Sequence, residues 1–186
     1  MINKGNFKRI QEDLKRFETE REQRLKDSRD VIKLSKQIVF SIHRDDLRKA
    51  SSYVKQIKNK VRKLRGPPYY NGLDKTAVQE YVEAIAYFDF VRNNRLPSKS
   101  ELKVDSECYL MGLSDLTGEL VRRAANEIIN KDLDSAFKIR KFVNDLYGEF
   151  IQLDIRNGDL RRKADAVRWN LKKLEDVIFD VKVKGR

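Results

Sequence analysis

Residues 160–181, LRRKADAVRWNLKKLEDVIFDV, carry apolar side chains at Leu160, Ala164, Val167, Leu171, Leu174, Ile178 and Val181. The gaps alternate between four and three, which keeps one face of an α-helix against a neighbouring helix in a coiled-coil-like seam. A half-buried strand would alternate every second residue instead. The same spacing recurs upstream. Ile139, Phe142/Val143, Leu146 and Phe150 predict a helix near residues 134–153, and Leu113, Leu116/Thr117, Leu120 and Ala124 predict one over about 106–130. Tyr81, Ala84, Ile85 and Phe88 form the apolar face of a helix over about 73–93. Val54, Ile57, Val61 and Leu64 stripe another over about 46–64, which Gly66-Pro67-Pro68 ends.

The first helix is the longest. Asn6 is a favourable N-cap residue, and Phe7, Ile10, Leu14 and Phe17 follow it at gaps of three and four. Leu25, Ile32 and Val39 continue the stripe at sevens, and no Gly or Pro interrupts residues 6–43. Globular helices average about 10–14 residues, so such a helix cannot bury itself on one small domain and is expected to pack against another subunit. The alternative is two helices with an unmarked break near Arg21. Residues 93–105 read as a loop with one short turn after Ser98. The expectation is an all-α protein: a single domain over residues 1–186, an antiparallel helical bundle of six or seven helices with a long N-terminal helix.

Charge is unevenly placed. The 186 residues hold 41 Lys+Arg against 29 Asp+Glu, a net charge of +12, and residues 1–66 account for +11 of it. Arg48 to Arg65 carries eight basic residues and no acid. That pattern is the footprint of a polyanionic partner, or else a solvated helix face that serves solubility. Cys108 is the only cysteine, which excludes an intrachain disulfide and a cysteine zinc site and fits a reducing cytoplasm. His43 is the only histidine, which excludes histidine-rich metal sites and argues against histidine-dependent catalysis. No run of about 20 apolar residues offers a membrane span, and the N-terminus lacks the apolar core of a signal peptide.

Against this basic background stand Glu80-x-x-Glu83 and Asp115-x-x-x-Glu119, each pair on one face of its helix. If the two faces meet, four carboxylates converge. Oxygen-only sites of that kind suit Mg²⁺ or Mn²⁺, and a basic protein that holds one is most simply an enzyme acting on phosphodiesters. In a chain with 38% charged residues, either pair alone is more often a solvated or ion-paired surface face than a metal site. Di-iron sites of helical bundles need Glu-x-x-His, which is absent here. Gly112 and Gly118 lower helix propensity, so a close approach of another backbone is the expected reason for both.

The stretches Gln79-Glu80-Tyr81-Val82-Glu83-Ala84 and Tyr109-Leu110-Met111-Gly112-Leu113-Ser114-Asp115-Leu116-Thr117-Gly118-Glu119-Leu120 closely resemble the Trax branch of the translin/Trax family. Ser28-Arg29-Asp30, Ser35-Lys36 and Phe40-Ser41-Ile42-His43-Arg44 are similar to the family's first long helix, and Lys172-Lys173-Leu174-Glu175-Asp176-Val177 with Lys182 to Arg186 to its last. The resemblance implies about seven helices and a hollow octamer. It also implies Mg²⁺-dependent endoribonuclease chemistry on single-stranded RNA, with Glu80, Glu83, Asp115 and Glu119 as catalytic and metal-holding carboxylates. Translin itself is the silent, nucleic-acid-binding member. The chain lacks the basic N-terminal extension of eukaryotic Trax and has a short loop between the acidic helices. A prokaryotic, archaeal-type relative forming a homo-octamer without an obligate second subunit is therefore expected.

On that reading a metal-activated water attacks the phosphodiester. Arg29 and Lys36, which share a seven-residue stripe with His43, match basic Trax positions, and Lys36 is expected to reach the RNA phosphate. Arg122 either stabilises phosphate charge or pairs with Glu119. His43 packs or caps, and Tyr69 or Tyr70 either stacks a base or makes a loop contact. Two other readings stay open: a non-catalytic RNA- or single-stranded-DNA-binding protein, and an all-α nucleotide pyrophosphohydrolase whose acidic helices also bind Mg²⁺.

Overall fold

The computed structural model describes residues 2–64, 72–156 and 158–184. Gly66-Pro67-Pro68, Tyr69, Tyr70 and the closing Gly185-Arg186 lie outside the described residues. The elements are α1 (Lys4–His43), α2 (Leu47–Val61) with a 3-10 turn at Arg62–Leu64, α3 (Gly72–Asn93), α4 (Lys99–Leu102), α5 (Ser106–Ile129), α6 (Leu133–Ile151) and α7 (Asp159–Lys184). No strand occurs among the described residues, and the all-α bundle is the expected one.

Short polar side chains start these helices by accepting otherwise orphaned backbone N–H groups. Asn3, not Asn6, caps α1: its Oδ1 accepts the Asn6 N–H at 3.1 Å. Asp46, Asp105 and Asp132 cap α2, α5 and α6. The turn expected after Ser98 is α4, begun by a capping box in which Ser98 and Glu101 each bind the other's backbone. Asp45 (φ 57°) and Lys131 (φ 65°) take left-handed conformations that reverse the chain after α1 and α5.

α3 and α5 form the centre. α1 packs on α2 and α3, and α6 and α7 pack on α5. One apolar core runs from Val31 and Ile38 through Val82, Tyr87, Leu116 and Val143 to Leu174. Tyr87, which lies outside the apolar face of Tyr81, Ala84, Ile85 and Phe88 read from the sequence, is fully buried in this core. Buried charge reinforces the apolar packing at one point. Asp74 is fully buried, its Oδ2 accepting from Arg24 Nε at 2.8 Å and its Oδ1 from the Ser28 hydroxyl at 2.7 Å. Arg24 also donates to the Leu64 carbonyl at 3.1 Å, so α1, the 3-10 turn and α3 are joined there.

The two α5 glycines have different roles. A Cβ on Gly112 would lie 2.6 Å from Val82 Cβ and 2.7 Å from the Gln79 carbonyl oxygen, so α3 and α5 touch backbone to side chain. At Gly118 the nearest group is Asn170 Nδ2 at 3.8 Å and the position is exposed, so the close approach expected there is absent. Opposite effects follow from the same substitution. Gly118→Ala is expected to raise stability by about 0.5–1 kcal/mol through helix propensity. Gly112→Ala is expected to lower it by about 1–2 kcal/mol, overpacking outweighing that gain. Thermal denaturation followed by circular dichroism checks both signs.

α1 runs unbroken past Arg21, so the two-helix alternative is excluded. Residues 4–23 are exposed on every side, an arm of about 30 Å at 1.5 Å per residue. Phe7, Ile10 and Leu14 are 61%, 43% and 63% exposed along one stripe of it. No helix among the described residues is long and apolar enough to cross a membrane.

Candidate functional site

The contact at Gly112 decides where the acidic pairs fall. Glu83 follows Val82, and Asp115 lies one turn beyond Gly112. Glu80 lies one turn before Glu83, next to Gln79 at the same contact, and Glu119 one turn after Asp115, so closing α3 on α5 brings all four carboxylates together. Their charges act on one another. Glu83 is pushed up to about 8, first by burial and then by the negative charges of Asp115, Glu80 and Glu119, with Lys163 opposing. Burial also raises Glu80, the Lys36 ammonium opposes it, and Asp115 and Glu119 add to the rise.

Cationic and hydrogen-bonding groups from other helices reach the same cluster. Lys163 of α7 pairs with Asp115, and the Ser114 hydroxyl donates to the Lys163 carbonyl, which fixes that part of α7 on α5. His43, the last residue of α1, meets Glu119 through Nε2, and its Nδ1 lies 3.4 Å from the Tyr87 hydroxyl. With Tyr87 donating to Nδ1, a neutral imidazole carries its proton on Nε2, toward Glu119. That hydrogen bond is the main reason the Glu119 carboxyl lies below the usual glutamate range. Arg123 donates to the Ile42 carbonyl at 3.2 Å and so holds the end of α1 where His43 needs it.

The structure therefore gathers Glu80, Glu83, Asp115 and Glu119. It sets Lys36 close enough for its charge to bear on Glu80. Arg122 stands at the rim, 3.8 Å from Glu119, with its side chain 61% exposed. Arg29 is not part of the cluster; it lies about two turns farther out on α1 and is exposed. Sequence reasoning missed Lys163 and the partnership of His43 and Tyr87 with Glu119. His43 had a signal, since it shares the stripe of Arg29 and Lys36. Lys163 had none, because only the packing of α7 on α5 brings it near.

The donor chemistry fits a hard divalent cation: four carboxylates, two of them raised by burial and mutual repulsion, with the Lys163 ammonium on Asp115 and the Lys36 charge near Glu80 offsetting only part of their charge. As the side chains lie, no three His, Cys, Asp or Glu groups among the described residues close round a common point. Asp115 is turned to Lys163 and Glu119 to His43.

The sequence model of the Translin family matches residues 19–185. The chain belongs to the translin family. Among its relatives, Translin-associated protein X of Rattus norvegicus is 26% identical across 96% of this chain and 78% of that protein. The translin fold here superposes on apo-NeC3PO with a TM-score of 0.89 and 31% identity, covering 96% of this chain and 97% of that one. AfC3PO bound to duplex RNA gives 0.87 at 24% identity over 96% and 97% of the two chains. The last likeness is one of fold.

Proposed function

We propose that this translin-family protein is a Mg²⁺-dependent endoribonuclease, with Mn²⁺ as a substitute ion, and that Glu80, Glu83, Asp115 and Glu119 hold the cation. The observation that supports this is the acidic cluster itself, where burial and then the neighbouring carboxylates raise Glu83 to about 8. Concentrating carboxylates in a half-buried place is unfavourable without a cation. AfC3PO, solved with duplex RNA, supports RNA as the ligand class, as does the basic surface. The four carboxylates, which match the Trax stretches quoted above, support reading the chain as a Trax-like, prokaryotic relative.

A bound Mg²⁺ supplies a water of lowered pKa and neutralises charge on the scissile phosphate. The protein's own groups orient and bind. His43, set by Tyr87, holds the Glu119 carboxylate in place, and Lys163 does the same for Asp115. Lys36 and Arg29 bind phosphates along α1, and the exposed Arg122 guanidinium meets a phosphate oxygen at the rim. Such contacts read no base edges, so cleavage shows little sequence preference. Purified protein is incubated with labelled RNA in Mg²⁺ and in EDTA, beside free nucleoside triphosphates. RNA products that need Mg²⁺ are expected. Salt-sensitive binding without product would leave the non-catalytic reading, and turnover of the triphosphates alone would leave the pyrophosphohydrolase.

We also read the protein as a homo-oligomer, an octamer without an obligate second subunit, residing in the cytoplasm. The exposed stripe of Phe7, Ile10 and Leu14 supports self-association. A Phe7→Glu/Leu14→Glu variant is expected to elute near the size of a single chain on a sizing column while keeping its helical circular dichroism. Unchanged elution would exclude the arm as the contact.

A further inference from the structure

The outward stripe of α1 beside the acidic cluster has a composition that phosphate contact alone does not explain. Arg29, Lys33, Lys36 and Phe40 recur at gaps of four, three and four, so they form one row about 16 Å long. Together with Ile32 and Gln37 they line a shallow open groove whose surface is mostly apolar. Phe40 is 59% exposed, and the Arg44 guanidinium lies over its ring, 5.7 Å from the centroid. Arg29, Lys33 and Lys36 are exposed and in no ion pair among the described residues, although the charges of Lys33 and Lys36 reach Asp30 and Glu80. The acids of this stretch face elsewhere: Asp30 pairs with Lys60 and Asp27 with Lys63. The row is thus purely basic around one open aromatic ring. It ends at His43, the last residue of α1, which meets Glu119 of the acidic cluster.

We propose that this row binds an unpaired strand of RNA, with Arg29, Lys33 and Lys36 on successive phosphates and a nucleobase stacked on Phe40 beside Arg44. Charge complementarity selects the polyanion, and the exposed ring selects a ligand with a free π-face. A duplex keeps its bases stacked inside and cannot use Phe40. The inference rests on the RNA reading above and adds one residue-level contact to it: Phe40, an anchor that needs a base out of the stack.

The test measures binding rather than cleavage, by fluorescence anisotropy in EDTA. The probes are a short single-stranded oligoribonucleotide, its base-free ribose-phosphate counterpart and the matching duplex. Phe40→Ala is expected to weaken the single strand by about tenfold, leave the base-free strand and the duplex unchanged, and be rescued by Phe40→Trp. Lys33→Ala is expected to weaken the intact and base-free strands alike and to flatten the salt dependence. Equal loss on intact and base-free strands with Phe40→Ala overturns the proposal, as does no binding by the unaltered protein. A changed sedimentation profile for Phe40→Ala also overturns it, because the ring would then belong to a contact between copies. Binding that follows this pattern in a protein that never cleaves RNA would remove the nuclease reading and leave the stacking anchor standing.

Discussion

A Glu80→Gln/Asp115→Asn protein is expected to bind RNA and leave it intact. The double change removes one charge from each acidic helix and keeps the shape of both side chains. The remaining Glu83 and Glu119 cannot hold a divalent cation as four carboxylates can. Loss of the cation's contribution, about 4 kcal/mol, corresponds to a rate at least about a thousandfold lower. Folding should survive, because Glu83 is raised to about 8 partly by Asp115 and Glu80, and that repulsion is relieved. A second readout does not depend on turnover. Mg²⁺ should raise the melting temperature of the unaltered protein, since a ligand that binds only the folded state stabilises it, and should not raise that of the variant. Undiminished cleavage, or equal Mg²⁺ stabilisation of both proteins, would count against the site.

Asp74→Ala is expected to be the most damaging single change to the fold. Asp74 is fully buried, and its removal leaves the mostly buried Arg24 guanidinium and the Ser28 hydroxyl facing empty space. Breaking a buried pair from one side costs about 3–5 kcal/mol, or roughly 10 °C of melting temperature for a chain of this size. The cost lies mainly in the stranded charge, so an Arg24→Met/Asp74→Leu protein should recover most of the loss. If the double variant melts no higher than Asp74→Ala, the ion pair is not what holds α1 to α3. Neither residue touches the acidic cluster, so any Asp74→Ala protein that remains folded should cleave normally.

Helix content and the four carboxylates were legible because both are local. Apolar gaps of three and four mark each bundle helix, and Glu80/Glu83 and Asp115/Glu119 share faces by spacing alone. Gly112 hinted that the faces meet, since a glycine in a helix interior asks for a reason. Gly118 sent the same signal without the same cause, which only the three-dimensional neighbourhood reveals. Lys163 was invisible because it comes from a helix some 45 residues away in sequence. His43 was discounted as a lone histidine at a helix end, although that end is where α1 reaches Glu119. The N-cap shift from Asn6 to Asn3 is of the ordinary kind, since both are good caps and tertiary contacts do not decide between them.

One continuous helix carries the exposed arm at its start and the imidazole beside Glu119 at its end. A rod of 40 residues is about 60 Å long and resists bending, with no Gly or Pro after Gly5 near its start. Whatever grips its outer third therefore also sets the aim of the imidazole at Glu119. On the reading proposed above, subunit association and the chemistry of the acidic cluster are coupled through a single stiff lever, so dilution that frees the arm is expected to be felt at Glu119.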